Sequence, residues 1–108
     1  MGLDGTVFSD ATNEDLLATE RLGNSASIAY LRDFVMAHTP DAEIILEKVL
    51  HSGTHTGDEI PVSSLERLRG EVESVSRSAQ GDASVAEFVA RCRNLVDTAI
   101  RHRRPITF

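Results

Sequence analysis

The sequence predicts a mainly α fold, a compact bundle of four to five helices with a tiny two-stranded sheet formed by the termini. Three observations predict it. Apolar residues recur at steps of three and four over 65–75 and again over 85–100. Caps, prolines and glycines fall between the periodic stretches, where helices start and stop. The connections left between the stretches are short, as in a bundle. With 108 residues, 41% of them hydrophobic, the chain reads as one helical domain over 1–108 with one modest core. Aromatic residues are only 5%, so aliphatic side chains fill that core.

Taken in order, Thr6-Val7-Phe8 is a short β-prone run, and 9–13 is polar and turn-like. Residues 14–22 read as a short helix carrying Leu16, Leu17 and Leu22, with Gly23 ending it. Asn24 or Ser25 caps the next helix, because a short side-chain oxygen accepts from an unpaired first-turn amide. Ile28, Leu31, Phe34 and Val35 lay one stripe along it, with Tyr30 beside the stripe. Pro40 stops that helix by disfavouring helical geometry at Thr39. The same pair starts the following helix, Thr39 as cap and Pro40 in its first turn. Asp41 and Glu43 suit the positive end of its dipole. Ile44, Ile45 and Val49, joined by Leu46 and Leu50, make its apolar face, and Ser52-Gly53 ends it.

Residues 51–61 hold two glycines and two histidines and read as a loop or tight hairpin. Ser63 and Glu66 then fit a capping box. Leu65, Leu68, Val72 and Val75 form one seam of the helix that follows. Gly70 inside it costs on the order of 1 kcal/mol against alanine and is compatible with a close helix contact. After a linker at 76–81, Asp82 caps the longest helix. Val85, Phe88, Val89, Cys92, Leu95, Val96, Ala99 and Ile100 share one of its faces. Arg101, His102, Arg103 and Arg104 crowd its C-terminus, where positive charge suits the dipole, and Pro105 ends it. The tail at 106–108 packs back, pairing with Thr6-Val7-Phe8.

Composition narrows the function classes. A net charge of −6 argues against a general nucleic-acid surface. No apolar run approaches the roughly 20 residues of a membrane-spanning helix. The first residues, with Asp4 and no basic cluster, do not read as a signal peptide. The single cysteine, Cys92, supports neither a disulfide framework nor a cysteine zinc site and suits the cytoplasm. Ten arginines against one lysine suggest a GC-rich bacterial source. Residues 1–60 carry eleven acidic and three basic side chains, and residues 61–108 carry six and eight. Such an acidic half steers a basic partner.

No nucleophile elbow, His-Glu-x-x-His, phosphate-binding loop or dinucleotide fingerprint is present. The segment that concentrates polar chemistry runs from His51 to Asp58. His51, His55 and Asp58 are of metal-ligand type, although Gly53 and Gly57 between them place the set on a loop rather than a helix face. Beside Thr54, the glycine amides of this loop can face an anion. The plainer reading is a glycine turn whose Thr and Asp side chains bond the local backbone. No cofactor is implied beyond a metal ion at that loop.

Met1-Gly-Leu-Asp4, Arg21-Leu-Gly-Asn24 before Ile28-Ala-Tyr-Leu-Arg32, and Ser52-Gly-Thr-His-Thr-Gly-Asp-Glu-Ile-Pro61 form a pattern that covers much of the chain. It resembles a group of small bacterial proteins with no established activity. That resemblance carries no catalytic residue across, but it draws attention to Asn24, His55 and Asp58. The expected function is a non-enzymatic protein-interaction module, immunity- or antitoxin-like or regulatory, with a basic protein as partner. Self-association stays open. The alternative is a small metal- or anion-dependent enzyme using His51, His55 and Asp58.

Overall fold

A computed structural model describes residues 2–9, 16–50, 59–79 and 81–108. Its N-terminal part is a hairpin. Strand β1 (Gly2–Phe8) pairs antiparallel with β2 (Leu16–Asn24), with Thr6 opposite Thr19 and their hydroxyls 3.4 Å apart. The helix expected over 14–22 is therefore a strand. Leu16, Leu17, Ala18 and Glu20 are good helix formers, but propensity is a weak local bias of a few tenths of a kcal/mol per residue. Three leucines over this stretch do not complete a helical stripe. As a strand, the segment satisfies its backbone against β1 and buries Leu22. Gly23, expected to end a helix, has φ +152° at the corner where β2 turns into the first helix, and an added Cβ there would lie 3.0 Å from Ser27.

Two short strands complete the sheet. β3 (Glu59–Ile60) pairs with β4 (Ile106–Thr107), and β4 pairs with β1 through Thr107 and Thr6, giving the antiparallel order β2-β1-β4-β3. The expected pairing of the two ends is present, but inside a four-stranded sheet. The mainly α bundle is thus corrected to a mixed α/β architecture, because the β-prone N-terminal run recruits both its neighbour in sequence and the distant tail.

Helix α1 (Ser25–His38) buries Ile28, Leu31 and Val35 and half-buries Phe34, as its stripe predicts. The side chains of Asn24 and Ser25 lie outside the described residues. Thr39 does not cap the next segment. Its hydroxyl donates back to the Val35 carbonyl at 3.2 Å. Instead of a regular helix, the chain forms a short helical turn that widens into a π-type turn at Ile45–Val49, closed by Leu50 N–H to Ile45 O at 2.7 Å. Ile45, Val49 and Leu50 enter the core from it.

Helix α2 (Leu65–Ser78) buries Leu65, Leu68, Val72 and Val75. The capping box is not formed. The chain arrives through a 3-10 turn at Val62–Ser64, Ser64 at the cap makes no side-chain bond to the helix, and Glu66 lies 3.8 Å from Arg69. Gly70 marks no close contact either, because a Cβ there would meet nothing within 4 Å. The expected linker is shorter than read, since α2 continues through Ser78 and Ala79 is buried.

Helix α3 (Ala83–His102) begins as predicted, with Asp82 Oδ1 accepting from Val85 N–H at 3.1 Å. Its predicted face is buried from Val85 to Ala99, with Ile100 partly covered. α3 lies against β1, β2 and β4 on one side and α2 on another. Gly5 on β1 permits that approach: a Cβ there would lie 2.5 Å from Leu95 and 2.9 Å from Phe108. The helix ends with Arg103 in the left-handed conformation. Among the described residues no helix is long and apolar enough to cross a membrane.

Candidate functional site

His51, Thr54, His55 and Asp58 lie outside the described residues. Asn24 closes β2, and its neighbours Gly23 and Ala26 line a cleft between α1 and α3. No group of three or more His, Cys, Asp or Glu side chains that could hold a metal occurs among the described residues. Cys92 is buried on the inner face of α3. Burial pushes its thiol well up, and the nearby charge of Glu20 adds to the shift, so the reactive thiolate is disfavoured.

The charge asymmetry of the sequence takes shape at one end of the molecule. Glu43 and Glu47 stand four residues apart on the turn at 43–49. Glu59 opens β3, exposed, while the alternation of the strand sends Ile60 into the core. These carboxylates rim a cleft of about 110 Å³ whose lining includes Ile44, Ile60 and Pro61. Among the described residues, one cation, Arg67 of α2, stands in it. Arg67 Nη2 bonds Glu43 Oε2 at 2.6 Å, and its Nε lies 3.5 Å from Glu71 Oε2. The hydrogen bond that Arg67 donates to Glu43 holds the guanidinium in its charged form, with further help from the charges of Glu43, Glu71 and Glu47. That cation is committed, and among the described residues the rim keeps an excess of negative charge.

Glu71 does not line this cleft but holds the turn that carries Glu43 and Glu47. Its side chain is 9% exposed and accepts from the amides of Ile45 at 3.0 Å and Ile44 at 3.3 Å. It therefore caps the 43–49 turn from a neighbouring helix, the role expected of Thr39. Burial pushes its carboxyl up, and the two amides and Arg67 oppose the shift. Sequence reasoning missed Glu71. The signal was its place beside Val72 on the apolar seam of α2, where a charged side chain is rarely buried without partners.

The α1–α3 cleft is larger, about 500 Å³, with Leu22, Leu31 and Phe88 in its lining. Tyr30, Glu87 and Arg91 in its lining are bonded within the protein. The Tyr30 hydroxyl donates to Asp82, which raises the phenol and holds the Asp82 carboxyl below its usual range. Arg91 donates to Glu87 and to the Arg21 carbonyl, tying α3 to β2. Neither cleft joins a nucleophile to a free base among its described residues. The acid-rimmed cleft can attract a cation, and the α1–α3 cleft can accept an apolar group.

No protein-family model, curated protein or solved structure matches the chain.

Proposed function

We propose that the protein is a non-enzymatic interaction module that docks a basic segment of another protein on the cleft rimmed by Glu43, Glu47 and Glu59. The observation that carries this reading is the imbalance at the rim: among the described residues, three carboxylates surround an apolar lining, and the one cation in that lining, Arg67, is already bonded to Glu43. A lysine or arginine fits such a site because its methylene stem packs on Ile44, Ile60 and Pro61 while its charged head meets carboxylates. The acidic half of the chain adds long-range steering toward a basic partner. An immunity-like, antitoxin-like or regulatory role suits a small chain that works by occupying a partner. The likeness to bacterial proteins with the Gly-Thr-His-x-Gly-Asp segment belongs to the same proposal.

Capture from a bacterial lysate, compared between the protein and its Glu47→Lys/Glu59→Lys variant, tests the reading. The double variant leaves the Glu43–Arg67 pair in place. Basic proteins should be retained by the unmodified chain, lost from the variant, and released as salt rises. Retention of the same proteins by both would remove the reading.

A further inference from the structure

We propose a second docking site at the opposite charge: Arg101, His102 and Arg103, at the C-terminal end of α3, receive a carboxylate-rich segment of a partner polypeptide. Two independent observations carry it. The first is the pairing of the other arginines on α2 and α3. Arg67, Arg69, Arg91 and Arg93 each hold a carboxylate within the protein, and Arg77 bonds Ser74. Arg104 bonds the Phe8 carbonyl at 3.0 Å. Arg101, His102 and Arg103 are exposed, and their side chains have no ion pair or hydrogen bond among the described residues.

The second is the backbone of Arg103. Its φ of 53° and ψ of 48° are left-handed, the conformation that glycine adopts freely at the end of a helix and other residues adopt at a cost. The turn itself is well made, with Arg103 N–H to Ile100 O at 3.2 Å and Arg104 N–H to Ala99 O at 2.9 Å. Glycine would form the same turn without strain. The helix dipole accounts for positive charge in the last turn, at Arg101 and His102, but not for arginine at the strained position beyond it. Strain retained at an exposed, unpaired cation points from the backbone outlier to a binding role.

The chemistry of the site selects the partner. Guanidinium forks match carboxylates and phosphates alike. A duplex is disfavoured because two arginines and a histidine on a chain of net charge −6 offer few groups to neutralise phosphates, on which nucleic-acid affinity depends. An anionic membrane surface calls for a cluster of about 4–8 basic residues. An acidic peptide needs only a few local pairs.

The test is a titration of the isotope-labelled full chain with hexaglutamate, followed by amide shifts. Oligo-thymidylate and phosphatidylserine vesicles serve as parallel arms. Saturable shifts centred on residues 99–104 are expected, with affinity about threefold lower in Arg103→Gly and in Arg101→Gln. Arg103→Gly should at the same time raise Tm by about 5 °C, since relieving the left-handed strain stabilises the fold. A stabilised Arg103→Gly protein that binds hexaglutamate unchanged would overturn the proposal. So would an unchanged Tm, an absence of saturable shifts at 99–104, or tighter binding of the oligonucleotide or the vesicles at those residues.

Discussion

Tyr30 is the only tyrosine of the chain, so its titration is read without interference. Its hydroxyl donates to Asp82, and ionising the phenol would both break that bond and set two negative charges together. Ultraviolet titration should therefore place the Tyr30 midpoint above 10, and Asp82→Asn should bring it down. A midpoint unchanged by Asp82→Asn would show that the bond between α1 and the cap of α3 is absent in solution. Glu71 gives a complementary test. Removing its carboxyl in Glu71→Ala leaves the buried amide of Ile45 and the part-buried amide of Ile44 without this acceptor, at a cost of about 1–3 kcal/mol. Glu71→Gln keeps one acceptor and should lose less. The sign of the pH dependence follows from the raised carboxyl of Glu71. A group raised on folding contributes stability that is fully present below the unfolded value and is lost as pH rises through the folded one. Urea unfolding across the weakly acidic range should show that loss in the unmodified chain and not in Glu71→Gln.

Two glycines separate packing from propensity at the scale of elements. Gly5 has no room for a side chain, because a Cβ would run into Leu95 and Phe108 where β1 meets α3 and the tail. Gly5→Ala should destabilise by about 1–3 kcal/mol through overpacking. Gly70 has open space around it on α2, and Gly70→Ala should stabilise by about 0.5–1 kcal/mol by stiffening the unfolded chain. Thermal melts of the two variants should move in opposite directions. The same contrast explains how far the elements were legible. The faces of α2 and α3 and the Asp82 cap were readable because period and cap lie within one stretch of chain. The pairing of 6–8 with the tail was readable because both runs are β-prone. β2 was not, because its residues favour a helix locally and become a strand only against β1. The capping box failed for a related reason: Pro61 leads the chain into a 3-10 turn that shifts the start of α2. Thr39 was displaced as a cap by Glu71, twenty-seven residues beyond the Ile44 amide that it holds, which no local pattern reveals.

Taken whole, the molecule is a four-stranded antiparallel sheet with α3 packed across it and α1 and α2 joining the same apolar cluster. Its charge is arranged as well as its shape. The acidic first half was visible in the sequence, but the cleft was not, since it forms only where the 43–49 turn, β3 and α2 meet. The proposed function turns on a basic segment docking in this cleft. Titrating the isotope-labelled chain with hexalysine, beside the Glu47→Lys/Glu59→Lys variant, tests it most directly. Saturable shifts at Ile44, Glu47, Glu59 and Ile60 are expected, weakening with salt, and those at Ile44 and Ile60 should vanish in the variant. Shifts spread evenly over the acidic residues, or equal shifts in both proteins, would contradict it.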